Sequence, residues 1–291
     1  MDWLDCMNRA MDYIEANLAD EISYDKAAQI ACCSTYHFQR MFSFITSVPL
    51  SEYIRRRRLT LAAFELQTTD VKVIDVALKY GYESPEAFAR AFKNLHGVMP
   101  SSARKEGVVL KTYPRMTFRI SIKGDIEMDY RIEEKEAFEV FGVGFQTNVI
   151  NGKCFKEISA FWEQFVKSDR YAALLQDAGK QPGELLDFGV TYAHNPNGSM
   201  NYMIACLKKT EQVPVEYTVL SIPKQTWAVF NIKWESEQDD KNVHDTWRRI
   251  YAEWFPASSY EHAECDFDLE YFFGSSQKGY GVEIMIPVRK K

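Results

Sequence analysis

The residues best suited to molecular recognition lie on a short predicted helix that begins after Ser84. Ser84 is a favoured N-cap residue, and Pro85 is favoured at the first helical position. Apolar residues then recur at i, i+3, i+4 and i+7, which predicts one buried face. Charged and hydrogen-bonding side chains occupy the opposite face, where they can meet a charged partner; these are Glu86, Arg90, Lys93 and Asn94.

The same pattern occurs again about 50 residues earlier in the chain. Residues 34–42 superpose on residues 84–92 without a gap, and Ser, Phe, Arg and Phe match in register. On the exposed face of this first copy we expect Tyr36, Gln39, Arg40 and Ser43. Such side chains on a helix that follows a turn are typical of base readout in a DNA major groove.

Arg40 and Arg90 are the predicted base readers, because an arginine can donate two hydrogen bonds to guanine. For Arg90 the alternative is an ion pair with Glu86, one helical turn earlier. The distribution of charge favours DNA binding. Residues 26–107 carry twelve Lys and Arg against seven Asp and Glu, whereas the segments before and after them are both acidic.

A longer helix over residues 51–67 is predicted to join the two copies rigidly. It contains four consecutive arginines, residues 55–58, which point to every side of a helix. We expect two of them to contact phosphates and the other two to be solvated. Arg56 and Arg57 are the candidates for the phosphate contacts, although the sequence does not distinguish among the four.

These motifs resemble the AraC/XylS family of transcription regulators. The resemblance covers about residues 4–105 and is carried by YGYES at 80–84, FARAFK at 88–93 and GVMP at 97–100. It implies an all-α domain in which two helix-turn-helix motifs bind adjacent major grooves, about 34 Å apart, of double-stranded DNA. The first turn departs from the family, which usually has glycine where this chain has Ala31-Cys32-Cys33. Cysteine tolerates positive φ poorly, so the geometry of that turn is open.

After Gly107 the sequence changes from helical periodicity to alternation, which predicts a second, α+β domain over residues 108–291. Its strands and helices form two successive β-α-β-β modules with antiparallel sheet. The first strand is expected at 117–122 and the next at 128–132. In the first module we expect a strand at 138–143, a helix at 155–167 and strands at 188–193 and 201–207. In the second we expect a strand at 227–232, a helix at 242–254 and strands at 267–272 and 281–288.

The two modules match each other in sequence, with residues 188–193 on 267–272 and residues 201–204 on 282–285. This half resembles the GyrI-like small-molecule-binding domain of Rob-type regulators, through WAVF at 227–230 and EIMIPV at 283–288. The resemblance implies a glutamate among aromatic residues in a cleft. By position that role goes to Glu283, with Glu270 as a second carboxylate; the aromatic candidates are Trp227, Tyr192, Tyr202 and Tyr271.

A carboxylate among aromatic rings favours an apolar, cationic ligand, because both the charge and the ring faces attract a cation. The alternative is that Glu283 and Glu270 point outward from a half-exposed sheet and that the aromatic residues are ordinary core. The sequence therefore predicts a regulator that binds DNA and a small apolar or cationic molecule. RNA polymerase is a candidate further partner. A second interpretation is that this domain binds a protein partner instead of a ligand.

Catalysis is a third interpretation, since two carboxylates among aromatic residues could act as acid and base in a hydrolase. The chain has no GxSxG or HExxH motif, and its five histidines show no spacing typical of a catalytic triad or a metal site. We therefore predict neither an enzyme nor a cofactor.

Six scattered cysteines show no metal-ligand spacing, and we expect Cys32 and Cys33 to pack a turn, with redox sensing as the alternative. No apolar run could span a membrane, and the N-terminus does not resemble a signal or transit peptide. A cytoplasmic protein is expected.

Overall fold

The computed structural model describes residues 3–119, 128–181, 184–234, 240–275 and 279–291. Contacts divide the chain into two compact units. Unit 1 comprises Met1–Phe38 and Leu50–Ile122, and unit 2 comprises Gln39–Pro49 and Lys123–Lys291. The division differs from the predicted boundary after residue 107, because the segment that follows still binds to helices of unit 1. Tyr113, for example, donates its backbone N–H to Thr60 at 3.1 Å.

Unit 1 is built from helices, as predicted. Each begins and ends within a few residues of the position that periodicity and capping indicate. The helices are α1 (Trp3–Ala16), α2 (Tyr24–Ile30), α3 (Thr35–Thr46), α4 (Leu50–Thr68), α5 (Val73–Lys79) and α6 (Pro85–His96), followed by a 3-10 turn at Pro100–Ser102. The division between the units falls inside α3, after Phe38.

The core around α6 follows from its apolar stripe. Phe88 and Phe92 are fully buried and pack, with Leu95, against residues of α4 and α5 that include Leu66 and Val76. The Ser84 hydroxyl accepts a hydrogen bond from the Ala87 N–H and so caps the helix. The stripe predicted from spacing is therefore the buried face of α6.

In both predicted helix-turn-helix motifs, the first helix ends in the same backbone conformation. Gly81 after α5 has φ 78°, and Cys32 after α2 has φ 58°. In each turn the next residue donates its N–H back across the helix end, from Tyr82 to Ala77 O and from Cys33 to Ala28 O. The first turn therefore forms without glycine. It is one residue shorter than the second, since Ser34 follows two residues after Cys32 whereas Ser84 follows three after Gly81.

Unit 2 contains the two predicted modules, each with a helix between its first and second strands. Residues 117–119 are not in a strand, and the rest of the strand predicted at 117–122 lies outside the described residues. The elements are β1 (Tyr130–Lys135), β2 (Phe138–Asn148), α7 (Lys153–Val166), α8 (Asp169–Asp177), β3 (Phe188–Tyr192), β4 (Ser199–Leu207), β5 (Thr218–Ile222), β6 (Gln225–Trp234), α9 (Asp240–Arg249), a π-helical turn (Ile250–Trp254), α10 (Phe255–Ala257), β7 (Tyr260–His262), β8 (Asp268–Ser275) and β9 (Gly279–Lys290).

The strands pair antiparallel in the order β1-β6-β9-β8-β3-β4-β2-β5, with β7 on β9. The two central strands, β3 and β8, come one from each module, as a duplicated unit requires. The edge strand β5 is followed after two residues by β6, near the other end of the order, so the sheet must curl.

Side chains alternate between the two faces of this sheet. The face that we call the helix face carries Tyr202 and Ile204, which pack with Phe165 of α7 and Leu174 of α8. The opposite face, which we call the inner face, holds a second buried cluster that includes Trp227. The register of a strand residue therefore decides whether its side chain packs against the helices or against the inner cluster.

Candidate functional site

The Glu270 carboxylate lies on the helix face of β8, at the centre of the sheet. Its cross-strand neighbour on β3 is Gly189. A Cβ atom on that glycine would lie 2.2 Å from the Tyr202 hydroxyl oxygen and 2.9 Å from Glu270 Oε2. The absence of a side chain at Gly189 thus gives Glu270 and Tyr202 the space in which they meet.

Neutral hydrogen-bond donors hold the Glu270 carboxylate. Trp247 of α9 donates its indole N–H to Oε1 at 2.9 Å, and the Tyr202 hydroxyl donates to Oε2 at 3.0 Å. Trp162 of α7 donates its own indole N–H to the Tyr202 oxygen at 2.8 Å. Each module helix therefore supplies one tryptophan, and together the two tryptophans fix the position of the carboxylate.

Two cavities meet at Glu270. The larger has a volume of about 320 Å³, within the range of small-molecule sites, and the smaller has about 50 Å³. Apolar and aromatic side chains line most of both. Glu270, Ile158 and His244 line both cavities. The larger cavity adds Ser159, Trp162, Val166, Tyr171, Leu185, Leu186, Val243, Phe272, Gly281 and Val282. The smaller adds residues of α3, α7, β3, β4, α9 and β8 and of the loops after α3 and β2.

Glu283 is not beside these cavities, and its predicted position is corrected. It pairs in register with Tyr271, the neighbour of Glu270 along β8, so it points to the opposite face of the sheet. There Arg131 binds both of its oxygens, at 2.8 and 2.9 Å. The cause is a register error of one residue. Thr191 pairs with Tyr202, and Glu270 pairs with Ile284, so the residue equivalent to Tyr202 is Ile284, not Glu283.

The same alternation divides the aromatic candidates. Tyr202 is in the site, whereas Trp227, Tyr192 and Tyr271 belong to the inner cluster. The structure brings in aromatic residues that sequence reasoning did not assign to the site, which include Trp162, Trp247 and Phe272. The rings of Trp162 and Phe272 pack edge to face at 5.1 Å. Their signal was weak, because an aromatic residue on an amphipathic helix or strand usually indicates core.

The polar face of α6 has the exposure that a DNA contact needs. Glu86, Arg90, Lys93 and Asn94 are all exposed, and they share the side of the helix opposite Phe88 and Phe92. The alternative ion pair is not formed. Among the ion pairs of the described residues, none joins Arg90 to Glu86 or to any other acidic side chain.

The predicted readout face of α3 is placed differently. Tyr36 and Gln39 are half-buried, and Ser43 lines the smaller cavity of unit 2. Arg40 is 7% exposed, and its guanidinium pairs with Asp268 of β8, which is 1% exposed. The arrangement seen here therefore keeps Arg40 away from solvent and from DNA.

The Arg40 pair belongs to a larger charged group inside unit 2. Asp268 also accepts a hydrogen bond from His262 Nε2 at 2.8 Å, while His262 Nδ1 faces the Ala263 carbonyl oxygen at 2.7 Å. Asp268 is thus contacted by both Arg40 and His262.

The four arginines of α4 all bind within unit 1, which corrects the phosphate contacts predicted for Arg56 and Arg57. Arg56 pairs with Glu52 at 2.6 Å. Arg57 is 9% exposed; it pairs with Glu15 of α1 and donates to the Tyr113 carbonyl oxygen at 2.7 Å. Arg55 pairs with Glu52, and Arg58 donates to the backbone carbonyls of Leu18 and Asp20. The spacing of Glu52 with Arg55 and Arg56 within one helix could have indicated the first two pairs. Helix periodicity could not indicate the partners of Arg57 and Arg58, because these come from other parts of the chain.

Among the described residues, no helix has both the length and the apolar character to cross a membrane. In the same residues, no group of three or more His, Cys, Asp and Glu side chains could hold a metal ion.

Two family matches cover most of the chain. Residues 131–288 match the integron-associated effector binding protein family, and residues 27–106 match a helix-turn-helix domain. The first match alone spans more than half of the 291 residues. This matched region contains Glu270 and the strands that line both cavities. The matched helix-turn-helix region contains α6 with its exposed polar face.

Similar proteins include two regulators that resemble the N-terminal part. The HTH-type transcriptional activator AarP of Providencia stuartii is 49% identical over 92 residues, which are 32% of this chain and 68% of AarP. The regulatory protein SoxS of Salmonella typhimurium is 37% identical over 94 residues, 32% of this chain and 88% of SoxS. Among solved structures, SAV2435 bound to tetraphenylphosphonium has a TM-score of 0.45 and 17% identity, covering 56% of this chain and 94% of that one.

Proposed function

The chain belongs to the integron-associated effector binding protein family and carries an AraC-type helix-turn-helix domain, and on that premise we propose that an apolar cation bound beside Glu270 controls its binding to DNA. It is a DNA-binding transcription regulator of the AraC family with a GyrI-like effector domain. The observation that carries the ligand proposal is the position of Glu270, where two mainly apolar cavities meet. We assign no catalytic step to this site.

The charge of the ligand is inferred from the surroundings of the carboxylate. Its two oxygens accept hydrogen bonds from a phenol and an indole, and such bonds favour the charged form of a carboxylate. A cation in the larger cavity would meet that charge at low dielectric constant, and it would also meet the electron-rich faces of aromatic rings. Phe272 and Val282 supply apolar surface, so the rest of the ligand should be apolar.

We expect wild-type protein to bind tetraphenylphosphonium and Glu270→Gln to bind it about 10–100-fold more weakly, because the amide keeps the shape of the side chain but not its charge. Tetraphenylborate has the same shape and the opposite charge. Its binding should therefore be weak in the wild type and tighter in Glu270→Gln. Equilibrium dialysis of both ions against the full chain measures this.

The matched control is Glu283→Gln, the same substitution on the inner face of the same sheet, and it should leave binding of both ions unchanged. If Glu270→Gln and Glu283→Gln lose affinity for tetraphenylphosphonium equally, the proposal that Glu270 binds the cation is wrong. If the wild type binds neither ion, the ligand proposal fails and a protein partner for unit 2 becomes the better interpretation.

DNA readout is proposed for the exposed face of α6. Arg90 is the proposed base reader there, and Lys93 is a proposed phosphate contact with Glu86 and Asn94 beside it. For α3 the proposal requires that Arg40 first leave Asp268. Tyr36, Gln39 and Ser43 would then accompany it.

We expect Arg90→Ala to lower affinity for duplexes selected from a random pool by about 10–100-fold, as loss of a bidentate base contact costs about 1–3 kcal/mol. Affinity for random DNA should change little. Lys93→Ala, the control on the same face, should weaken both duplexes alike and reduce the salt slope by about one. Fluorescence anisotropy at several salt concentrations measures both quantities. If Arg90→Ala weakens selected and random DNA equally, Arg90 does not read bases.

Coupling between ligand and DNA is proposed to act through α3. Phe44 of α3 stacks on Trp247, with ring centroids 5.6 Å apart, and Trp247 donates to Glu270. Phe44 and Asp268 both line the smaller cavity, which at about 50 Å³ is too small for a drug-sized molecule. A ligand that extends past Glu270 into this cavity would displace Phe44, whose ring centroid lies 5.6 Å from the Arg40 guanidinium carbon, and this displacement is proposed to release Arg40.

A further inference from the structure

Two cysteines that are far apart in sequence meet inside unit 1. Cys6 lies in the first part of α1 and is 2% exposed, whereas Cys32 is exposed in the turn after α2. Their sulfur atoms are 3.3 Å apart. Cys32 and Cys33 are adjacent in sequence, but the sulfur–sulfur contact joins Cys32 to Cys6.

Cys32 has a backbone conformation that favours glycine, so a cysteine is not expected at this position. Its φ of 58° lies in the left-handed region, where glycine is favoured and where the matching turn has Gly81. A side chain at such a position strains the backbone. A cysteine instead occupies the position, and its side chain reaches the Cys6 sulfur across the interface between α1 and the turn.

We propose that Cys6 and Cys32 form a reversible disulfide with disulfide oxidants such as oxidised glutathione. The exposed Cys32 thiolate attacks the oxidant, forms a mixed disulfide and expels one glutathione thiolate. The Cys6 thiolate then attacks Cys32 Sγ and expels the second. Two protein thiols are oxidised to one disulfide, and one oxidised glutathione is reduced to two thiols.

The geometry suits this second step. Bonded sulfurs are about 2.05 Å apart, so the atoms must approach by about 1.3 Å, which a rotation in the exposed turn can supply. Burial raises the pKa of the Cys6 thiol, and the hydrogen bond and charge of Cys32 raise it further. Attack by Cys6 should therefore be the slower step and should accelerate as the pH rises.

The bond would close a loop between residues 26 apart in sequence, which joins α1 to the turn that precedes α3. Such a cross-link restricts the unfolded chain and should raise the melting temperature of unit 1 by about 5 °C or more. This inference does not depend on the proposed ligand or on DNA binding.

The experiment is oxidation of the full chain with oxidised glutathione, followed by alkylation and peptide mapping. We expect a disulfide-linked pair of peptides that contain Cys6 and Cys32, reversal by dithiothreitol, and the rise in melting temperature. Cys32→Ser, at an exposed position, should abolish the linked pair and the rise, and so should Cys6→Ser. The matched control Cys33→Ser should retain both.

A stable glutathione adduct on Cys32 without linkage to Cys6 would overturn the proposal. Linkage of Cys32 to Cys33, or loss of the linked peptides in Cys33→Ser, would overturn it as well. Because Cys6 is buried, its variant can lose stability for other reasons, and the exposed Cys32→Ser decides the outcome in that case.

Discussion

Arg57→Ala is expected to destabilise unit 1 by about 3–5 kcal/mol, the cost of leaving a buried charge without its partner. Arg57 donates to both oxygens of the Glu15 carboxylate, from Nε at 2.9 and 3.2 Å and from Nη2 at 2.7 Å. The Tyr53 hydroxyl donates to the same carboxylate at 2.6 Å. Burial alone would raise the pKa of Glu15, but the hydrogen bonds from Arg57 and Tyr53 hold it below its ordinary value.

The loss is large because several elements depend on one guanidinium. Arg57 binds α1 through Glu15 and binds the chain after α6 through the Tyr113 carbonyl. Truncation therefore leaves the Glu15 carboxylate, whose side chain is only 12% exposed, and the Tyr113 carbonyl oxygen to find new donors. Chemical denaturation of the full chain, followed by fluorescence and circular dichroism, measures the change.

Arg55→Ala is the matched control for this prediction. Arg55 is a neighbour on the same helix, its side chain is 40% exposed, and its partner is Glu52 one turn earlier. An exposed pair of that kind contributes less than about 1 kcal/mol. Equal and small losses in both variants would show that Arg57 is not a structural residue, and the phosphate role predicted for it would stand again.

Asp268→Asn is expected to have the second large effect. The amide keeps the shape of the side chain, but it leaves Arg40 and His262 without the carboxylate that both contact. Removal of one partner from a buried ion pair costs about 3–5 kcal/mol. Unit 2 should lose stability by that amount, because the residues that lose their partner are themselves buried.

The same substitution should raise DNA affinity at least about tenfold, since Arg40 no longer has to leave a carboxylate before it meets a base. Anisotropy titrations with the selected duplex, at a temperature where the variant is folded, measure this. Asp266→Asn is the control, because Asp266 is 48% exposed and pairs with His194 instead. A destabilised Asp268→Asn protein with wild-type DNA affinity would show that the pair only stabilises the fold.

Much of the fold could be predicted because its signals are local. The spacing of Phe88 and Phe92 defined the buried face of α6, and the N-cap and Pro85 defined its start. The duplicated modules were visible as strands and helices in a repeated order. Such features depend on neighbours within a few residues, which is the range over which periodicity and capping act.

The site could be predicted only in part because it depends on register and on partners from distant elements. Glu270 and Tyr202 were candidates from sequence and lie in the site, but a slip of one residue in the match of the modules moved the main role to Glu283. Arg57 shows the second limit. Its type and position suggested phosphate, and only the fold could reveal that Glu15 is 2.7 Å away.

The measurement that tests the central claim most directly is DNA affinity with and without saturating tetraphenylphosphonium, made on the wild type and on Glu270→Gln. Coupling free energies of about 1–3 kcal/mol are typical, so the wild type should bind the selected duplex about 5–150-fold more tightly when the cation is present. Glu270→Gln should show no change at the same concentration. A wild-type protein that binds the cation yet keeps the same DNA affinity would contradict the account, because ligand and DNA sites would then be independent.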